Sequence, residues 1–461
     1  ARENYSFLIA TWLTFWRVIS GAFSVCAARR PAYVDRAMSR IASVLLPMPL
    51  PEAFDYAEPE GMDLQVGDQV AAPLGPRLLR GVVVALREGA GGNRPLKPLD
   101  SKLDSPPLPP GAIEFVQWAA RYSVDAPGQP LAIAIRGARA PKARPQKLLE
   151  ATGALPARST PARARVLEAA AAGPMAPADL ARAASVSAGV VKGLVDEGAL
   201  ALRLVEEEAA FPEPDLSRPG QPLNPSQAAA AQALNQMVGE GGFNVALLDG
   251  VTGSGKTEVY LEAVAAALAR DPEGQVLVML PEIALTQAVI GRFEARFGVK
   301  PAEWHSDIAP PVRRKTWDAV AAGRARIVVG ARSSLFLPFR RLSLIVVDEE
   351  HDGSYKQDEG FIYQARDLSV MRGKIEGAGV ILASATPSLE TLRNAETGRY
   401  RWLRLTARHG EALLPDISLI DLKATPPEPG RWLSPPLVRA MEETLAAGEQ
   451  TLLFLNRRGY A

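Results

Sequence analysis

Cysteine and histidine are nearly absent from this chain of 461 residues, which has a single cysteine, Cys26, and three histidines. A lone thiol cannot close an internal disulfide, and no Cys/His cluster is there to hold zinc. One cysteine fits a reducing, intracellular setting, so a cytoplasmic location is expected. Net charge is also lacking: 52 Lys and Arg face 51 Asp and Glu, for a balance of +1. Affinity for nucleic acid would have to come from local patches. Apolar runs of membrane length are missing as well. Residues 7–16 are apolar, but Arg17 interrupts before residues 18–28 resume, and a span needs about 20 apolar residues with few charges. The basic pair Arg29-Arg30 follows this stretch, whereas a signal peptide carries its positive charge first. Residues 1–37 are therefore expected to lie outside the functional fold, as an over-extended reading frame would. A membrane anchor is the alternative, and the fold is expected to begin at Met38.

The rest of the chain has 47% hydrophobic and 22% charged residues, which is ordinary for a globular protein with room for about three domains. Residues 41–46, 54–56, 69–72 and 81–86 read as short strands separated by Pro/Gly turns, a small β-rich domain or barrel over 38–143. The segment Pro73-Leu74-Gly75-Pro76 is expected to break the third strand, and residues 89–95 to form a loop. Residues 111–122 have helical spacing. Between Arg77 and Lys147, twelve basic residues oppose five acidic ones, a local surplus of +7. That suits a nucleic-acid binder, and suits a solvated basic surface equally. Residues 137–161 read as an Ala/Pro/Arg-rich linker. Helices over 162–172, 177–184 and 188–197 with a strand over 199–202 suggest a winged helix within 160–205. Its third helix carries only Lys192 as a positive charge, which favours a protein-contact or spacing role over groove reading.

Residues 206–222 form an acidic, Pro-rich hinge. Beyond it, apolar runs at 244–248, 275–280, 326–329, 344–347 and 380–383 alternate with helical stretches. That pattern is an α/β lobe with a doubly wound parallel sheet, expected over 222–420. Its first strand leads into Gly250-Val251-Thr252-Gly253-Ser254-Gly255-Lys256-Thr257, followed by a helical pattern. Strand, glycine loop and helix together make a phosphate cradle. Glycines let successive N–H groups face inward, and the helix adds its positive end. Gly250, Thr252, Gly253, Ser254 and Gly255 would line the cradle. Lys256 would meet the β/γ-phosphates of ATP, and Thr257 would ligate Mg²⁺. Some ninety residues on, the strand 344–347 ends in Asp348-Glu349-Glu350-His351. Asp348 would complete the Mg²⁺ site, and Glu349 would polarise the attacking water. Ser384-Ala385-Thr386, after the next strand, could sense the phosphate state.

These strings resemble the superfamily 2 helicases. Pro281-Glu282-Ile283-Ala284-Leu285-Thr286, Gly330-Ala331-Arg332-Ser333-Ser334-Leu335-Phe336, Ser354-Tyr355-Lys356-Gln357 and Phe454-Leu455-Asn456-Arg457-Arg458-Gly459 narrow the resemblance. It is to the primosomal replication-restart helicases, from Met38 onward. The resemblance implies a RecA-like motor lobe and ATP-driven 3′→5′ unwinding at stalled forks. Its implied partners are forked and single-stranded DNA, the 3′ end of the nascent strand, other primosome proteins and single-stranded DNA-binding protein. It further implies that Gln227 reads adenine, and that Tyr355, Lys356, Phe361, Tyr363 and Arg366 belong to an aromatic-rich loop coupling DNA to hydrolysis. Arg332 would contact DNA phosphate. Phe54, Asp55 and Tyr56, with Gly75 and Lys97, would form the 3′-end pocket, where a carboxylate can accept a hydrogen bond from a free 3′-hydroxyl. The family's zinc-binding cysteines, later motifs and completing arginine have no counterpart here. Residues 421–461 read as the start of a second lobe, with a strand over 451–455. The expectation is therefore binding of ATP and DNA with poor hydrolysis and no unwinding. A non-catalytic fork-binding, partner-recruiting module is the competing reading, and another nucleic-acid translocase a remoter one.

Overall fold

The structure is a computed structural model describing residues 39–89, 95–138, 146–156, 158–171, 173–205, 211–281, 287–406 and 416–454. The expectations for residues 1–37, 206–208, 282–286, 455–459 and most of the 89–95 loop lie outside them.

The chain opens with β1 (Ser39–Leu45), β2 (Phe54–Ala57), β3 (Gln69–Leu74), β4 (Arg77–Gly89) and β5 (Ser101–Lys102), in the antiparallel order β2-β1-β4-β3-β5. The stretch around β5 closes the sheet. Ala57 N donates to Lys97 O at 2.9 Å and Leu99 N to Ala57 O at 3.1 Å, while Asp100 N reaches Ala71 O at 3.0 Å and Leu103 N reaches Gln69 O at 2.8 Å. One segment thus bonds β2 on one side and β3 on the other, leaving no open edge there. Side chains alternate along each strand, and Ala42, Val44, Tyr56, Val70, Ala72, Val83 and Leu99 fill the barrel. The expected break at Pro73 does not occur: Pro73 stays in β3 opposite Leu78. Only Val70 and Ala71 of β3 pair with β5, so Pro73 sits where no N–H is needed. Gly75, at φ +59, heads the two-residue turn into β4.

Helix α1 (Pro110–Tyr122) follows, then α2 (Gly128–Ala134), which the residue pattern did not suggest. Its Gly128 is wedged against backbone; a Cβ there would lie 2.0 Å from Met48 O. The supposed linker contains β6 (Gln146–Ala151), a correction to the sequence reading. After α3 (Pro161–Ala171), α4 (Pro177–Ala183) and α5 (Ala188–Asp196), β7 (Leu200–Val205) returns to pair antiparallel with β6. Leu149, Val166, Leu180, Val191, Leu194 and Leu200 form the core of this unit. Three helices on a two-stranded sheet are the elements of a winged helix. A six-residue strand whose partner lies fifty residues away carries no local signature.

Next come α6 (Pro225–Glu240), β8 (Val245–Gly250), α7 (Lys256–Arg270), β9 (Gln275–Met279), α8 (Gln287–Phe297), β10 (Ala302–Trp304), α9 (Pro310–Ala321), β11 (Ile327–Gly330) and β12 (Leu342–Asp348). A short hairpin, β13 (Lys356–Gln357) and β14 (Tyr363–Gln364), precedes α10 (Ala365–Glu376), β15 (Gly379–Ser384), α11 (Leu389–Glu396) and β16 (Arg401–Leu405). The sheet is parallel throughout, in the order β10-β11-β9-β12-β15-β8-β16. The five expected strands are its centre. The two edges, β10 and β16, were not expected, because β10 is only three residues long and half-exposed β16 lacks the continuous apolar run of buried strands. One face of this sheet shares a core with α1 and α2, and α6, α7 and α8 cover the other. The parallel sheet carries the fold class: a doubly wound α/β lobe.

Residues 409–461 separate as a second unit. Its described part holds α12 (Pro435–Ala446), which buries no residue. Thr451 to Phe454, expected to begin a strand, are not in one. A strand exists only through ladder partners, and residues 416–454 offer none.

Candidate nucleotide site and the surfaces around it

The glycine loop lies between the end of β8 and the start of α7. Gly253 (φ +77) and Gly255 (φ +80) take the left-handed conformation that curls the backbone. A Cβ on Gly255 would meet Gln227 Nε2 at 2.3 Å, and one on Gly250 would meet Ser254 Oγ at 2.5 Å. Gly255 is the N-cap of α7 and offers no side chain to the first N–H groups of that helix, so the positive end stays free for an anion. Thr252 and Gly253 are exposed, while Ser254 is buried, and among the described residues its Oγ has no partner. Lys256 is buried, with Nζ 3.0 Å from Gly250 O and 4.0 Å from Glu349 Oε1. The loop therefore has the backbone path, open helix end and ammonium that a nucleoside triphosphate requires.

Asp348 closes the site from β12. Burial first, then the neighbouring Glu349 charge, lifts its carboxyl to about 6. Tyr260, buried four residues into α7 from Lys256, donates to Asp348 Oδ2 at 3.0 Å. Burial holds this phenol well above its ordinary range, so it remains a neutral donor. Thr257 at the start of α7 and Asp348 at the end of β12 carry hard oxygen groups, a donor set that suits Mg²⁺. Tyr260 escaped the sequence reading; its signal is a tyrosine on the buried face of the helix, which needs a polar partner.

Glu349 sits at φ +47, rare for a residue other than glycine. Its own N–H bonds Asp348 Oδ1 at 3.0 Å, and the kink turns its carboxylate toward Lys256 and to 3.6 Å from His351 Nδ1. His351 Nδ1 is 2.8 Å from Ser384 Oγ, which also accepts from Thr386 N at 3.0 Å. The carboxylate cluster thus connects physically to the strand end at Ser384.

Other expected site residues are used differently. Gln227 is buried; its Nε2 donates to Ser254 O at 2.8 Å and its Oε1 accepts from Asn224 N at 2.8 Å. With Asn224 it forms a capping box for α6 that also props the phosphate loop. Its amide keeps a second N–H and a second oxygen lone pair beyond these two bonds. Arg366 is buried among Glu350 (3.5 Å), Asp367 (2.8 Å) and Glu390 (3.8 Å), so its charge is engaged within the fold. Glu350, which the sequence reading passed over, is fully buried. It accepts from Ser388 N at 2.6 Å, Ser388 Oγ at 3.0 Å and Thr391 Oγ1 at 3.0 Å, locking β12 to α11.

The aromatic segment is also largely internal. Tyr355 is buried, its hydroxyl 2.6 Å from Asp348 O and 3.0 Å from Met279 O. Phe361 and Tyr363 stack on each other with centroids 5.4 Å apart, and both meet Phe336 edge-on. Burial pushes the Tyr363 phenol up to about 12. An exposed stacking platform is not what these three rings make, because apolar burial outweighs display. Lys356 is exposed and paired with Asp358 at 3.0 Å. Arg332 donates to Ser354 O at 2.7 Å and Lys356 O at 3.0 Å, so part of its guanidinium ties down the loop.

In the barrel, Phe54 is exposed on β2 and Lys97 half-buried beside it. Asp55 accepts from Ser43 Oγ at 2.7 Å and from Arg87, leaving two of its four acceptor sites. Tyr56 points inward, its hydroxyl 3.3 Å from Pro73 O, which makes it core and removes it from the expected pocket. Gly75 lies at the hairpin tip with open space around it.

A DEAD/DEAH box helicase model matches residues 224–395, and a 3′DNA-binding domain (3′BD) model matches residues 43–136. The replication restart protein PriA of Rickettsia conorii is 34% identical over 427 residues, covering 92% of this chain and 54% of that protein. The replication restart protein PriA of Haemophilus influenzae is 35% identical over 438 residues, with 92% and 59% covered. The chain spans about half the length of these curated relatives. A solved DUF1998 helicase MrfA bound to DNA aligns at 20% identity over 43% of this chain and 32% of that one, with a TM-score of 0.29, too slight a likeness to bear on the fold. Among the described residues no metal-binding cluster of His, Cys, Asp and Glu occurs, and no helix is long and apolar enough to cross a membrane. Over the residues it spans, the chain is a homologue of the replication restart protein PriA, with matches to that protein's 3′DNA-binding domain and to a DEAD/DEAH box helicase domain.

Proposed function

We propose that this chain is the ATP- and DNA-binding portion of a 3′→5′ DNA helicase that restarts replication at stalled forks, working in the cytoplasm. The observation that carries the reading is the approach of Lys256 to the Asp348-Glu349 strand end across an uncapped helix N-terminus. In this reading Lys256 meets the β/γ-phosphates, Thr257 and Asp348 hold Mg²⁺, and Glu349 orients and deprotonates the attacking water. ATP supplies the free energy, and the residues named here bind it and aim the water. The contact from Glu349 through His351 to Ser384 would report phosphate state to the DNA-facing side. Phe54, Asp55 and Lys97 would receive the 3′ end of a nascent strand on the barrel. Primosome proteins and single-stranded DNA-binding protein are the partners such work needs.

Binding of a fluorescent ATP analogue with Mg²⁺ tests the site. Lys256→Ala should weaken it at least about ten-fold, as loss of a charge-assisted contact does. Undiminished binding in that variant would overturn the reading. Hydrolysis stimulated by single-stranded DNA would mark a motor; nucleotide binding with no turnover on any DNA would mark a fork-binding module instead.

A further inference from the structure

A cleft of about 340 Å³ lies where α2 meets the carboxyl ends of β10 and β11. Three guanidiniums line it: Arg136, just after α2, Arg313 on α9, and Arg332 after β11. Glu359 is the carboxylate among the lining residues, and the nearby Glu303 is taken up by His305 at 3.6 Å. Arg313 directs Nη2 to His305 O at 3.1 Å and Ser306 O at 2.9 Å, and Arg332 spends Nη1 on two carbonyls. Each keeps further N–H donors. Arg136 is exposed, and among the described residues it has no carboxylate or carbonyl partner. Trp304, Phe361 and Tyr363 also line it. Like charges facing one small cleft repel, and an anion between them relieves the repulsion. A guanidinium fork matches phosphate oxygens in pairs.

We propose that this cleft is a phosphodiester subsite for a single DNA strand, built jointly by the 3′-end domain and the helicase lobe, with Arg136 as its contribution from the former. The proposal rests on the DNA-binding reading above and names a residue that reading does not use. A small cleft lined by three guanidiniums suits the backbone of one strand. A strand drawn over the lobe would then touch the domain that holds the 3′ end.

The test is binding of the full chain to a labelled oligothymidylate across a salt series. Arg136→Ala should weaken binding several-fold and reduce the slope of log affinity against log salt by about 0.7, the loss of one single-strand phosphate contact. Arg136→Lys should keep the slope and lose part of the affinity, because charge remains without the fork. The thermal midpoint of both variants should match that of the unsubstituted chain. If the unsubstituted chain binds and Arg136→Ala is indistinguishable from it, the subsite is refuted while the DNA-binding reading stands. If the unsubstituted chain does not bind oligothymidylate, both fall. Should Arg136→Ala fold poorly, Arg136→Lys decides: an unchanged affinity refutes the subsite.

Discussion

Asp348 holds a charge where burial disfavours it. Its carboxyl sits near 6 in the fold against an ordinary 3.8, so between those values the folded state binds more protons than the unfolded one. Stability therefore falls as pH rises through this window, and the cost is complete above about 6. Asp348→Asn should stabilise the chain by about 1–3 kcal/mol at pH 8, and hardly at pH 4. Thermal melts at the two pH values check this, and equal gains would reject it. Glu350 is the opposite case, a buried carboxylate whose partners are all supplied. Glu350→Ala should cost about 3 kcal/mol by denaturant titration, leaving two hydroxyls, an N–H and Arg366 short of an acceptor. Glu349→Gln should leave nucleotide binding intact and cut any DNA-stimulated hydrolysis about 10²-fold or more, the scale of a lost general base. The positions of Lys256 at the start of α7 and of Asp348 at the end of β12 were legible in the sequence, because an apolar run and a glycine loop mark them locally. The contacts of Gln227, Tyr355 and Arg366 within the fold were not legible, because a polar or aromatic residue does not reveal whether its partner is a ligand or its own fold.

The phosphate loop shows how an element constrains its residues. Gly255 is both left-handed and in contact with Gln227, so Gly255→Ala meets backbone strain and a side-chain clash together. It should lower stability by about 1–3 kcal/mol and abolish nucleotide-analogue binding; near-normal binding would show that the cradle tolerates a Cβ. Parallel strands at the centre of the lobe were readable because burial on both faces writes a continuous apolar run. Edge strands β10 and β16, and β6 in the supposed linker, were not. Arg401 and Arg404 of β16 point to solvent and to Glu240 and Asp249, and such an alternation also suits a loop. Buried polar residues set register invisibly. Gln275 donates to Val320 O and Ala325 O and accepts from Arg340 N and Arg341 N, stitching β9 to two loops that no local pattern names.

Across the whole of the first unit, α1 and α2 belong to the lobe as much as to the barrel. Phe115 packs against Phe336 at 5.2 Å, Arg372 lies 4.9 Å over the Phe115 ring, and Trp317 Nε1 donates to Ala134 O at 2.8 Å. Phe115→Ala should cost about 3–5 kcal/mol and lower the melting of barrel and lobe together. A calorimetric scan in which only one transition moves would refute this shared core. The sequence by itself determined the chemistry of the phosphate site and the parallel sheet beneath it, since both depend on short-range order: apolar runs, glycines at a turn, a lysine opening a helix, acids ending a strand. Only the tertiary structure decided which aromatics and arginines face inward, which strand pairs with β7, and that the end-binding domain shares a core with the lobe. Those outcomes depend on contacts between residues far apart in the chain, where burial and hydrogen-bond satisfaction select among side chains that look alike in sequence.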